Sequence, residues 1–184
     1  ITYSFGAGNE DILLIKTNAY GDVQWAKTYG GAGHDRAFSI RQTSDGGYIL
    51  LGSVTSFGAG WFDFFLMKID AFGNVQWAKT YGHPYWDFAL SLQETSDGGY
   101  ILVGHTDSPP YGDDDVSVIK ADANGNLQWA MMYRGAGFDA ALSVQQTSDG
   151  GYIIAGLTNS FGAGSWDFLL IKTDEDGDVQ WAKT

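Results

Sequence analysis

The sequence predicts an all-β fold, a β-propeller assembled from four-stranded antiparallel blades of 52 residues, and three observations predict it. Trp25, Trp77, Trp129 and Trp181 recur at a constant spacing of 52, each inside a QWA core. The segment TSDGGY keeps that phase from Thr43, Thr95 and Thr147, as do Asp11, Asp63, Asp115 and Asp167. Independent motifs that share one period mark a repeat architecture. Composition agrees, because 26 Gly against 3 Pro, with 7 Trp, 10 Tyr and 11 Phe, is the profile of a turn-rich β protein and not of a helical bundle.

Within one unit, strand A reads from Asp35 to Gln42, strand B from Tyr48 to Gly52, strand C from Asp63 to Asp70 and strand D from Val75 to Tyr81. A and B are joined by SDGG, C and D by DAFGN, both short and glycine-bearing as tight hairpins require. Strand A alternates small and large residues, Ala37 and Ser39 against Phe38 and Ile40, so one face meets a close neighbour. Strand C is apolar on both faces, as in Phe64 to Met67 and Phe168 to Ile171, which a sheet wetted on one side would not tolerate. Each sheet is therefore sandwiched between two others around an axis, with A at the hub and D at the rim. A β-solenoid would need parallel strands, which these hairpins forbid.

The phase divides a single propeller array, residues 1–184, into a half blade of strands C and D at 1–34 and blades at 35–86, 87–138 and 139–184. Four full repeats would need one more A–B pair. Two chains would supply strands enough for seven blades, but two orphan C–D pairs do not make one A–B–C–D blade. The expectation is thus a piece of a longer propeller chain or a homo-oligomer that completes the blades, with an unpaired C edge able to recruit partners.

The balance of 22 acidic against 10 basic residues, a formal charge of -12, repels phosphate backbones and anionic lipid, so no nucleic-acid partner is expected. The absence of cysteine removes disulfides and thiolate chemistry and leaves the redox compartment open. No apolar run approaches the roughly 20 residues of a membrane span. The opening ITYSFGAGNED lacks the basic and apolar regions of a signal peptide, so the chain as given is expected to be soluble, and a processed or trimmed start is compatible with it.

Glycine closing strand B at Gly52, Gly104 and Gly156, with tryptophan in strand D, resembles a kelch-type blade in which the kelch double glycine is reduced to one. More closely, TSDGGYI followed by LIK and QWAKTYGG resembles repeats of large secreted or surface proteins of archaea and Bacteroidetes-type bacteria, over essentially the whole chain. That resemblance implies an extracellular or cell-surface propeller, generally without an assigned activity, and carries over no catalytic residues.

Between near copies, departures are informative. The D-to-A loop ends in GAGH at His34 and GAGF at Phe138 but reads His83, Pro84, Tyr85, Trp86 in the middle unit. The SFGAG loop, present from Ser4, Ser56 and Ser160, is replaced by Ser108 to Asp114. Both loops emerge on one face and flank one blade, so His83, Tyr85, Trp86, Tyr111, Asp113 and Asp114 form a candidate ligand-binding patch. Aromatic rings stack on the apolar side of a sugar while carboxylates accept its hydroxyls. The alternative is that Trp86 and Tyr111 merely pack between blades, with proline stiffening a tolerant loop.

Other candidates weigh less. Asp174, Asp176 and Asp178 resemble part of a calcium loop, but the aligned segments at Asn18, Asp70 and Asp122 mark that position first as a hairpin turn, and no cofactor is otherwise expected. The repeated aspartates at strand starts read as acceptors for loop N–H groups. His34, His83 and His105 show no metal or triad spacing and read as solvated or loop-packing side chains. Asp113, Asp114 and Asp115 could pair as acid and base in a hydrolase, yet adjacent carboxylates usually form a solvated face; no catalytic residue or enzyme activity is assigned. The expected role is a non-catalytic extracellular or surface module for structure or interaction, with protein or glycan as partner. The alternative is a carbohydrate-binding propeller using loops 83–86 and 108–114.

Overall fold

The computed structural model describes residues 6–107 and 113–184. They form fourteen strands: β1 (Ile12–Thr17), β2 (Val23–Tyr29), β3 (Asp35–Gln42), β4 (Tyr48–Val54), β5 (Asp63–Ile69), β6 (Val75–Tyr81), β7 (Asp87–Glu94), β8 (Tyr100–Asp107), β9 (Asp114–Ala121), β10 (Leu127–Tyr133), β11 (Asp139–Gln146), β12 (Tyr152–Thr158), β13 (Asp167–Thr173) and β14 (Val179–Lys183). β1 and β2 pair alone, and three antiparallel sheets of four follow in chain order, β3–β6, β7–β10 and β11–β14. Strands A and D of the unit at 35–86 have the bounds the sequence predicts, whereas B runs on to Val54 and C stops at Ile69. The succession of four-stranded sheets fits a propeller-like repeat.

Three apolar cores lie between successive sheets. Ile12 of β1 meets Leu50, Val54, Phe65, Met67 and Ile69 of the next sheet. Ile49, Leu51, Phe64 and Leu66 meet Ala89, Leu92 and Leu102. Val103, Val116 and Val118 meet Ala141, Val144, Ile154, Leu169 and Ile171. The two-faced apolar reading of strand C holds where a sheet has neighbours on both sides: β5 is buried along its whole length, while Phe168 of β13 stays exposed. Each large side chain so buried contributes about 1.5–3 kcal/mol.

Strand A is not a plain alternation. Its pairing with B skips from Ala37 to Ser39, from Ala89 to Ser91 and from Ala141 to Ser143, a bulge that pushes Phe38, Leu90 and Leu142 out of register. Beside it the glycine that closes the expected strand B has its reason. A Cβ on Gly52, Gly104 or Gly156 would lie 2.0, 1.8 or 1.9 Å from the carbonyl oxygen of residue 36, 88 or 140 of strand A.

The hairpin ends of the sheets form one edge, the turn edge, and are built alike. Asp45 Oδ1 accepts the Gly47 N–H and the Thr43 hydroxyl, and Lys68 of β5 donates to Thr43 Oγ1 and to both Asp45 oxygens at 2.8 Å. Lys120 donates to Asp97 Oδ2 at 2.8 Å and Lys172 to Asp149 Oδ1 at 3.1 Å. These lysines are buried, which such charge-assisted bonds make tolerable. Tyr29, Tyr81 and Tyr133 donate to the carbonyls of Gly73, Gly125 and Gly177 in the C–D turn of the next sheet, at 2.8, 2.7 and 2.6 Å.

Candidate functional site

The opposite edge carries the B–C and D–A loops, and here the repeat stops repeating. The residue before the repeated strand-C aspartate is Glu10, Phe62, Asp114 or Trp166; the residue before the strand-A aspartate is His34, Trp86 or Phe138; the residue after it is Arg36, Phe88 or Ala140. These varied positions touch one another. Glu10 bridges to His34 and Phe62 to Trp86 in short parallel pairings. Arg36 Nε donates to Glu10 Oε2 at 2.6 Å, and its guanidinium lies 5.3 Å from the centre of the Phe62 ring.

Aromatic contacts then run across the sheets as a ribbon. Trp61 lies parallel to Trp86, centroids 5.8 Å apart and planes 3° apart. Trp86 stacks on Phe88 and Phe88 on His105, His105 meets Phe138 at a tilt and Phe138 meets Trp166 edge to face, all at centroid distances of 5.2 to 5.7 Å. Much of the ribbon faces solvent: Trp61 is 66%, Trp86 40% and Trp166 55% exposed. Exposed rings in contiguous contact are unusual for a surface and mark recognition sites.

A cleft of about 360 Å³ opens in its middle, lined by Trp86, Phe88, Phe138, Asp107, Asp113 and Asp114. The D–A loop and the end of β8 are tied there by a bond from the Asp107 N–H to the Trp86 carbonyl at 2.8 Å. His105 Nδ1 lies 3.1 Å from Asp114 Oδ2, close enough for an ion pair but not aligned for a hydrogen bond. Larger grooves lie between strands β2 and β6 and between β6 and β10. They recur from sheet to sheet at one phase, so they are seams of the packing.

Of the residues the sequence singled out, Trp86, Asp113 and Asp114 come together in this cleft. His83 does not line it; its N–H donates to Asp87 Oδ2 at 2.7 Å and its ring faces the Asp87 carboxylate. Tyr85 lies at the surface, its carbonyl accepting the Trp61 N–H. Tyr111 falls outside the described residues. Trp61, Phe62, Phe88, His105, Asp107, Phe138 and Trp166 were missed, and lining up the three varied positions across the units would have found four of them.

The strand-start aspartates do accept loop N–H groups. Gly31 donates to Asp35 at 2.7 Å and Gly60 to Asp63 at 3.1 Å. Burial pushes the Asp87 carboxyl above its ordinary range, opposed by bonds from Thr106 and the His83 N–H and reinforced by the nearby Asp63 charge. At the calcium-like segment, Asp174 Oδ1 accepts the N–H groups of Asp176 and Asp178 at 3.1 and 2.9 Å, the arrangement of the other C–D turns. Of the solvated or packing roles read for the histidines, His105 takes the packing one, lying half-buried between the rings of Phe88 and Phe138.

No family model matches the chain. It is 26% identical over 173 residues to the regulatory protein FlaEY of Caulobacter vibrioides; the match covers 87% of this chain and 16% of that protein, so the chain spans a small part of its relative's length. Among solved structures, a protein of unknown function from Bacteroides caccae superposes with a TM-score of 0.37 at 10% identity, covering 96% of this chain and 78% of that one.

Proposed function

We propose that the chain is part of a non-catalytic β-propeller, extracellular or at a cell surface, with strand A at the hub and D at the rim, and that its stacked sheets serve as a scaffold for an interaction face on the loop edge. One observation carries this reading: on that edge, positions that differ between otherwise near-identical units join into the ribbon of rings from Trp61 to Trp166. Loops on a rigid frame are where recognition is placed. Further repeats, from a longer chain or a second copy, complete the ring, and the native mass of the purified chain tests that assembly.

The experiment for the face is a screen of immobilised glycans and purified surface proteins with the native chain and a Trp61→Ala, Trp86→Ala, Trp166→Ala triple variant. A ligand held by the first and released by the second is the expected result. Turnover of any substrate that a loop substitution abolishes would overturn the non-catalytic reading.

A second reading, carbohydrate binding, is favoured by the parallel, exposed Trp61 and Trp86 beside Asp113 and Asp114, a platform for the apolar side of a pyranose. Glycan binding that survives Trp86→Ala unchanged would sink it.

A further inference from the structure

Among the described residues, the polar side chains that line the cleft are Asp107, Asp113 and Asp114, with neither lysine nor arginine on its walls. Ionised carboxylates only accept hydrogen bonds, so an occupant must bring donors. Asp107 Oδ1 is buried without a hydrogen-bond partner among the described residues, a cost that a donor from a ligand would remove. The other walls are the rings of Trp86, Phe88 and Phe138, whose faces attract cations.

The chain itself shows what fits such surroundings. In the first unit Arg36 joins the Glu10 carboxylate to the Phe62 ring. The same three positions around the third sheet carry Asp114, Ala140 and Trp166; of these Asp114 lines the cleft, while Trp166 packs on the cleft's Phe138 ring. Carboxylate and ring are kept, and the guanidinium is replaced by a methyl group. His105 approaches Asp114 from one side only, which leaves three carboxylates with at most one internal positive charge.

We propose that this cleft binds a guanidinium or alkylammonium group, so that the ligand supplies in trans what Arg36 supplies in cis. This rests on the interaction-face reading and specifies its ligand chemistry.

Binding of the peptide acetyl-Gly-Arg-Gly-amide to the native chain, followed by tryptophan fluorescence and calorimetry, tests it against the citrulline peptide, which has the same shape without the charge. The arginine peptide binds at least about tenfold more tightly, near the combined worth of a cation–π contact and a charged hydrogen bond. An Asp113→Asn, Asp114→Asn double variant, whose fold is checked by its circular dichroism, loses that advantage. Agmatine serves as the small-molecule arm: binding equal to the peptide's assigns the cleft to a free organic cation, and weaker binding assigns it to a basic polypeptide.

Equal binding of both peptides, abolished by Trp86→Ala, would overturn the cation assignment and leave the interaction face standing. Arginine binding unchanged in the double aspartate variant would place the cation elsewhere on this acidic surface and overturn the assignment too. No binding of peptide or agmatine also overturns it, and the glycan and protein screen then judges the interaction face separately.

Discussion

The two edges of the stacked sheets are made from the same units and differ in kind. At the turn edge one arrangement recurs: a lysine of strand C held by the Asp of the A–B turn in each full unit, and strand-D tyrosines at 29, 81 and 133 bonded to the next sheet's C–D turn. At the loop edge the residues flanking the strand-start aspartates change from unit to unit, and charge gives way to rings from Glu10 and Arg36 to Trp86 and Trp166. The difference teaches that the repeated bonds and the varied rings lie at opposite ends of the strands, which on the proposed reading separates cohesion from recognition. Substitutions at the first should weaken folding, and substitutions at the second should alter what is bound.

The sharpest break should come at the shared glycine of strand B. Gly104→Ala drives a methyl group into the Phe88 carbonyl and should cost about 3 kcal/mol, read as a lower urea midpoint at an unchanged slope. At the turn edge, Asp97→Ala removes an acceptor from buried Lys120, which keeps the Ala121 carbonyl and Gln128. Because Asp97 is half exposed, solvent screening limits the loss to about 1–2 kcal/mol. Tyr81→Phe, which deletes only the bond to the Gly125 carbonyl, should cost about 1 kcal/mol in the same assay.

Acid separates the edges by sign. Although burial works against it, bonds from Lys120, Thr95 and the Gly99 N–H bring the Asp97 carboxyl down to about 2. Thr147, Lys172 and the Gly151 N–H bring Asp149 to about 2 as well. A carboxyl with a lowered folded pKa contributes stability above its unfolded value of about 4, and that contribution is lost as pH falls through the folded value. Asp87 at the loop edge, raised by burial, contributes most at low pH and loses that contribution as pH rises through its folded value. Stability followed from pH 6 downward should therefore fall less steeply in Asp97→Asn than in the native chain, and more steeply in Asp87→Asn.

The smallest effect on folding belongs to the ribbon. Trp61→Ala removes an exposed ring stacked on Trp86 and should shift stability by no more than about 1 kcal/mol. A larger loss would mean that the ribbon is part of the core, and the two edges would not be distinct.

The strands, the hairpin chemistry and the sandwiching of the sheets were legible because each depends on residues close in sequence or on a period. Asp70 serves Phe72 and Asn74, and β5 announces two buried faces in its own composition. The strand-A bulge was not legible, since Ala37 and Ser39 look like two members of one alternation whether or not Phe38 is skipped. Nor was the ribbon, because its contacts join different phases of neighbouring units, Phe62 to Trp86 and His105 to Phe138. Trp61 and Trp166 also stand beside loops that look constant, which hid them.

The tyrosine bonds always run forward, from one sheet to the turn of the sheet after it. The three joints therefore use the same plug and the same socket, and each joint is indifferent to which unit stands on either side. Units exchanged by recombination would still mate, while the order of side chains along the loop edge would be permuted. New binding surfaces could thus arise in such a gene by shuffling whole cassettes, with no joint needing to be reinvented.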